Sequence, residues 1–394
     1  MTDDPRITIE DNGRILSRIY AGEKLSDIVR VPDFSVAAAR GEKIWLVYDR
    51  NVAGAADSLA KVLPISSAFA VDATEEGKTV SAVVEICRRL MENGADRRSL
   101  LLAVGGGITT DMAGFAASIY RRGIRFAYVP TTLLSQVDAS VGGKTGVNLD
   151  SYKNMIGTIR QPEFVWLCPE PLLSLSLRDF RSGAAELLKT FIISGGGWYE
   201  RAVRLLRRLC DRVAGADIVC GEFLSSELER KELADLIEAA VSVKAGIVSE
   251  DRFESGRRRV LNLGHTFAHA IEWKGLDAGI PASAGMSHGE AVSVGIILAA
   301  SLSEAAGLAP AGFARRLAAD FASCGLPVTC PYAIGELTDA MSRDKKSEGD
   351  AVRFILMRGI GDVEERLMTV SEAEALLSFG RRDFPAAGGA DSEN

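Results

Sequence analysis

The feature that most restricts how this chain can fold is the alternation, through its first half, of short unbroken apolar runs with stretches of helical period. Ile44-Trp-Leu-Val-Tyr48, Leu100-Leu-Leu-Ala-Val104, Phe126-Ala-Tyr-Val129 and Phe164-Val-Trp-Leu167 are bounded by turn residues and lack a polar residue at alternate positions. A strand that is apolar on both faces is buried on both faces, as in a parallel sheet covered by helices. Between the first two runs, Val80–Asn93 has helical spacing, with Val83, Val84, Cys87 and Leu90 assigned to one face, and it stops at Gly94. Strand, helix and strand make a βαβ unit, so the chain is expected to open with an α/β domain.

From about Leu177 the strand signals fade and helical patterns take over: 184–193, 199–214, 222–250, 265–273 and 289–306. The expected organisation is an α/β domain over 1–176, a mostly helical domain over 177–379 and a Gly/Ala/Asp/Ser-rich disordered tail over 380–394. A net charge of −7 spread along the chain argues against a nucleic-acid-binding surface. No apolar run is long enough for a membrane span, and the start MTDDPRITIE lacks the basic and apolar regions of a signal peptide. A cytoplasmic location is expected. The six cysteines show no CxxC spacing and are expected to be free thiols.

The run Leu100–Val104 leads straight into Gly105-Gly106-Gly107, and a helical pattern follows from Met112 to Tyr120. Glycines between a strand and a helix let the backbone approach a pyrophosphate, and the helix start supplies N–H groups and a positive dipole end. A tight structural turn would look the same. Asp49, closing the run at 44–48, stands where a carboxylate could accept from a ribose hydroxyl, although the spacing is not GxGxxG.

The chain has three histidines, His265, His269 and His288, all within 24 residues. His265 and His269 are four apart in a helix-compatible segment, and Ser287 is a plausible N-cap for a helix opening at His288. Imidazoles with a carboxylate suit a divalent ion such as zinc, and acid–base work is the other reading. Glu186, Glu254, Glu272 and Glu290 are the carboxylate candidates. Glu186 and Lys189 share one face of an otherwise apolar helix. Of 12 lysines, seven (Lys78, Lys144, Lys153, Lys189, Lys244, Lys345, Lys346) fall in turns or site-like helices, which points to an anionic small-molecule substrate.

Several blocks taken together resemble the 3-dehydroquinate synthase family of sugar phosphate cyclases. They are Gly105-Gly-Gly-x-x-x-Asp111, Val129-Pro-Thr-Thr-Leu-Leu134, Val137-Asp-Ala-Ser-Val-Gly-Gly-Lys-Thr-Gly-Val-Asn148, Lys153-Asn154, Glu186 with Lys189, Leu261-Asn-Leu-Gly-His-Thr-Phe-Ala-His-Ala-Ile-Glu272 and His288-Gly-Glu. The resemblance spans about residues 40 to 365. It implies a Rossmann-like NAD-binding domain followed by a helical metal-binding domain, working as a homodimer. The implied reaction converts 3-deoxy-D-arabino-heptulosonate 7-phosphate to 3-dehydroquinate and phosphate, the second step of the shikimate pathway. It proceeds by oxidation of a ring hydroxyl with NAD, phosphate elimination, reduction, ring opening and aldol closure.

Carried over by motif, the resemblance implies Glu186, His265 and His288 as ligands of a divalent ion, zinc or else cobalt. His269 then becomes a proton-transfer residue, with Glu254 as the second acid–base group and Lys144 and Asn154 also at the chemistry. Substrate contacts are implied for Arg122, Asp138, Lys144, Asn154, Lys189, Lys244, Arg258, Asn262 and one of Lys345 and Lys346, with Arg122 reaching across a dimer interface. NAD contacts are implied for Asp49, Glu75, Lys78, Gly105, Gly106, Gly107, Asp111, Thr131, Thr132, Lys153 and Ser174. Thr74, Thr110, Ser174 and Thr190 depart from the family's usual residues, and none removes a group the chemistry uses. The alternatives are a valiolone- or inosose-type cyclase, a metal-dependent polyol dehydrogenase and a non-catalytic binding protein on the same scaffold.

Overall fold

The computed structural model describes residues 4–150, 152–213, 218–281, 284–344 and 351–380. Packing divides the chain into two compact units, Met1–Leu261 with Ser323–Gly325, and Asn262–Ala322 with Leu326–Asn394.

Among the described residues the first unit has nine strands: β1 (Ile7–Asp11), β2 (Arg14–Ala21), β3 (Ile44–Asp49), β4 (Ile65–Val71), β5 (Leu100–Gly105), β6 (Arg125–Pro130), β7 (Lys144–Leu149), β8 (Tyr152–Ile159) and β9 (Phe164–Leu167). Seven form one sheet in the order β1-β2-β9-β6-β5-β3-β4, while β7 and β8 pair as a separate antiparallel hairpin. Apart from the antiparallel β1–β2 pair, the seven-stranded sheet is parallel. The four apolar runs are β3, β5, β6 and β9, and every residue of β5 and β9 is buried.

Helices cover the sheet: α1 (Pro32–Ala39), α2 (Ala53–Val62), α3 (Val80–Glu92) and α4 (Gly107–Ile119). Because side chains alternate across a strand, Leu46, Leu102, Val104 and Val129 pack in one cluster with Phe34 and Leu59 of α1 and α2. Truncating one of these to alanine costs about 2–5 kcal/mol. The helix at Val80 forms as expected, but Ile86 rather than Val84 joins Val83 and Leu90 in the core, and Val84 is exposed.

The unit continues through α5 (Leu177–Ser194), α6 (Trp198–Cys210), the short α7 (Cys220–Phe223) and α8 (Glu227–Glu250). The expected boundary at 176/177 follows the change from strands to helices, whereas the compact units follow packing. Helix α8 lies against β1, where the Glu10 N–H donates to Ser249 Oγ at 3.0 Å.

The second unit contains α9 (His265–Asp277), α10 (His288–Ala305), α11 (Phe313–Ser323, whose last residue belongs to the first unit), α12 (Ile334–Asp344), an antiparallel hairpin of β10 (Ala351–Gly359) and β11 (Asp362–Thr369), and α13 (Val370–Gly380). The hairpin is an addition to the expected helical unit. Its strand β11, with the sequence DVEERLMT, has no buried residue, so no apolar run marks it. All six cysteines are free, and no helix among the described residues is long and apolar enough to cross a membrane. The proposed tail lies outside the described residues from 381 onward.

Candidate active site

Strands β4 and β5 pair with opposite edges of β3, so the strand order reverses there. In an open α/β sheet such a reversal leaves a crevice beyond the carboxyl ends of the two central strands. Those ends are Asp49 and Gly105. A Cβ on Gly105 would stand 2.5 Å from Thr109 Oγ1, a collision, and one on Gly106 would stand 3.1 Å from the Thr132 methyl, a tight contact. Helix α4 begins at Gly107 with no side-chain cap on its first N–H groups. The Thr131 N–H donates to Gly105 O at 2.9 Å, and Thr132 Oγ1 accepts from the Ser135 N–H at 3.1 Å, tying the loop after β6 to the turn. The Asp49 carboxylate accepts from the Asn51 N–H at 2.9 Å; burial raises its pKa while that bond opposes the rise. In topology and steric character this turn matches what a nucleotide-binding turn requires.

Beside it, buried Lys78 Nζ donates to Asp111 Oδ2 and to Asn154 Oδ1, each at 2.6 Å. Burial pushes the Asp111 carboxyl up from its ordinary value, and Lys78 draws it back. Asn148 completes the corner: its Nδ2 donates to Glu75 Oε1 at 2.9 Å and its Oδ1 accepts from the Asn154 N–H at 2.9 Å. Asn154 has φ +56, a left-handed geometry that asparagine tolerates better than most residues. Glu75, Lys78, Asp111 and Asn154 are thus brought together, and Lys153 lies next to Asn154 on β8. Asn148 was not singled out from the sequence beyond its place in a motif, because its partner lies 73 residues away.

A second group of charges lies where α5, α8 and a turn of π-helix at Ser135–Ala139 meet. Lys244 Nζ donates to Asp138 O and Oδ1 at 2.7 and 2.8 Å. Lys189 Nζ stands 3.8 Å from Asp138 Oδ1 and 2.5 Å from Glu186 Oε2. Burial disfavours charge on both lysines, but Glu186 and Asp138 together raise the pKa of Lys189. Lys244 ends below its ordinary value, since Asp138 compensates only in part and Lys189 and Arg258 repel it. Arg258 is 2% exposed, with its guanidinium donating to Arg252 O (2.6 Å) and Gly142 O (2.9 Å). Burial lowers its pKa, while Glu254 and Asp138 counteract the fall. Lys144, which opens β7, forms an ion pair with Glu254, a residue held at φ +59.

The histidines belong to the second unit. Helices α9 and α10 run antiparallel: Gly264 faces Gly295 at one end and Glu272 faces His288 at the other. A Cβ on Gly295 would stand 2.2 Å from Gly264 O, so glycine is what allows the start of α9 to rest on the α10 backbone. Ser287 caps α10 as expected, in a capping box with Glu290. The His265 ring centroid lies 5.3 Å from that of His288 and 5.6 Å from that of His269. His265 Nδ1 is 3.2 Å from Leu263 O, and His288 Nδ1 is 3.2 Å from Glu272 Oε1. A ring whose Nδ1 proton goes to an acceptor carries its lone pair on Nε2, the arrangement of a metal-ligating histidine with an outer partner. The donor set therefore fits a borderline divalent ion. Of the four carboxylate candidates, Glu272 is bonded to His288 within this unit, while His269 is exposed.

Arg122 lies on the surface at φ +67, and exposed Ser174 donates to Pro171 O at 3.0 Å. Asn262 closes the turn Arg257–Asn262. Lys345 and Lys346 lie outside the described residues.

Comparison with known proteins yields one consistent result. Residues 68–182 match the family described as 3-dehydroquinate synthase N-terminal, and 183–347 match 3-dehydroquinate synthase C-terminal. A 3-dehydroquinate synthase of Leptospira interrogans is 38% identical over 299 residues, 76% of each chain. Among solved structures, a 2-epi-5-epi-valiolone synthase from Streptomyces hygroscopicus with NAD+ and Zn2+ bound superposes with a TM-score of 0.78 at 25% identity, covering 95% of this chain and 99% of the other. A 2-deoxy-scyllo-inosose synthase complexed with carbaglucose-6-phosphate, NAD+ and Co2+ gives 0.75 at 25% identity with the same coverage. The cyclases share the fold, but the family matches and the higher identity lie with the dehydroquinate-forming enzymes, so this chain belongs to the 3-dehydroquinate synthase family.

Proposed function

We propose that the chain converts 3-deoxy-D-arabino-heptulosonate 7-phosphate to 3-dehydroquinate and phosphate, with NAD at the Gly105-Gly106-Gly107 turn and one divalent ion, zinc, on Glu186, His265 and His288. The carrying observation is the buried group of Lys189, Lys244 and Arg258. Their partners within the chain are Asp138, Glu186 and backbone carbonyls, which leaves the group net positive, so it suits a substrate that brings a carboxylate and a phosphate better than an uncharged polyol. When bound, the ion polarises the reacting oxygen and NAD takes up and returns a hydride.

The chain's own residues do the rest. Asp49 accepts from the ribose, and the α4 N–H groups receive the pyrophosphate, with Glu75, Lys78, Asp111, Thr131, Thr132, Lys153 and Ser174 around the cofactor. Lys189, Lys244, Arg258, Asn262 and Asp138 orient the sugar acid, joined by Lys144, Asn154 and one of Lys345 and Lys346. His269 and Glu254 move protons, and their exposed or half-buried positions suit exchange with water. Arg122, exposed on one protomer, reaches the phosphate in a homodimer, and the enzyme works in the cytoplasm.

Incubation with the heptulosonate phosphate, NAD+ and Zn2+ or Co2+ is expected to release phosphate and form dehydroquinate in equal amounts. Product from sedoheptulose 7-phosphate alone would instead establish the valiolone-type reading. Sedimentation of the R122A variant tests the dimer assignment separately: the variant should remain dimeric but lose affinity for substrate.

A further inference from the structure

We infer that Asp251 is a positioning residue for Glu254: its carboxylate is the hub on which the loop 251–258 is folded, and through that loop it fixes where the Glu254 carboxylate stands. The inference rests on the reading of Glu254 as an acid–base group.

Helix α8 ends at Glu250, and Asp251 is its C-cap. A carboxylate there faces the negative end of the helix dipole, an unfavourable place, so the helix gains nothing from it. The loop does. Oδ1 accepts from Ser255 N (2.9 Å) and Ser255 Oγ (3.1 Å). Oδ2 accepts from Gly256 N (2.7 Å) and Arg258 N (3.0 Å). All four donors lie beyond Glu254 in sequence, so the bonds close a ring around it.

Glu254 needs that ring. Its φ of +59 is a left-handed conformation that strains a non-glycine residue and persists only where its surroundings enforce it. Its own N–H reaches Asp251 O only at 3.5 Å, which is too long to enforce anything. Arg258 is anchored by its guanidinium to two carbonyls and the Glu254 carboxylate meets Lys144, so the backbone bonds to Asp251 set how Glu254 is presented to that lysine. The charge state agrees: against the burial that would raise it, the bonds from Gly256, Arg258 and Ser255 hold the Asp251 carboxyl at about 2.

The D251N variant keeps size and one acceptor oxygen but turns the other into a donor facing donors. Its kcat for dehydroquinate formation should fall about 10- to 100-fold, as expected for a displaced catalytic group. Its affinity for NAD+ should stay within about twofold, because the nucleotide turn shares none of these bonds. In the E254Q background the same change should cost less than about threefold, since the residue it acts through is already disabled. S255A deletes one of the four bonds and leaves the charge, so it should repeat the cycle at smaller amplitude even if D251N folds poorly. An active D251N beside an impaired E254Q, or an undiminished cost of D251N in the E254Q background, overturns the proposal. Full activity of E254Q overturns the reading of Glu254 itself, and the proposal falls with it.

Discussion

The nucleotide turn and the histidine corner solve opposite problems. At Gly105-Gly106-Gly107 the protein does without side chains: a Cβ on Gly105 would collide with Thr109 and one on Gly106 would crowd Thr132, and the bare backbone suits the pyrophosphate proposed there. At α9 and α10 it places an acceptor behind each imidazole, the Leu263 backbone carbonyl behind His265 and the Glu272 carboxylate behind His288. The first site is fixed by topology and sterics, while the second is fixed by proton inventory. It follows that the two should fail differently.

The largest effect is expected at the histidines. H265A, or E186Q in the first unit, should lose bound metal and turnover together, by at least about 10³-fold in kcat, measured by metal analysis alongside phosphate release. Full turnover in either variant would remove that residue from the ligand set. E272Q spares all three proposed ligands but weakens the acceptor behind His288. Metal affinity should fall about 10- to 100-fold, and excess metal should restore activity. The turn breaks without any charge change: G105A should weaken NAD+ binding by about tenfold or more, read by fluorescence titration, with metal content unchanged. If G105A lowered metal content as well, the two regions would not be independent.

Titration separates the two lysines on Asp138. Lys244 is held below its ordinary pKa and Lys189 above it, so on the alkaline side Lys244 loses its charge first. The KM for the anionic substrate should therefore rise with pH sooner in the wild type than in K244R, whose guanidinium stays charged. The smallest effect is on stability. Asp251 is depressed from 3.8 to about 2, so its contribution is complete above pH 3.8 and is lost as the pH falls towards about 2. The urea midpoints of wild type and D251N should converge over that window.

What the sequence showed in advance follows from how each part is held. Strands β3, β5, β6 and β9 were legible because both faces are buried and composition alone reveals that. Strands β1 and β2 were not, since RILSRIYA mixes charged and apolar residues on a half-buried strand. Nor were β7 and β8, whose KTGVNL and YKNMIGTI are strands by cross-pairing rather than by propensity. Ser287 as a cap and His288 as a helix opener could be read locally. Glu272 stood as one of four carboxylates until the antiparallel run of α9 and α10 brought it to His288. Asp251 left no signal, and Asn148 none beyond its place in a motif, because their work is hydrogen bonding within a folded loop and across 73 residues.

The return of Ser323–Gly325 to the first unit bears on how this protein can be taken apart. Cys324 is 4% exposed and lines a small cavity with Phe180, Leu206, Leu209 and Cys210, while Ser323 Oγ accepts from Arg207. An excised fragment ending at Leu261 would be made without its own plug, exposing apolar side chains of α5 and α6 to solvent. The chain is therefore not modular at any single cut, and a gene fusion or limited digestion that treats 261/262 as a seam would yield a first piece needing the missing tripeptide supplied in trans.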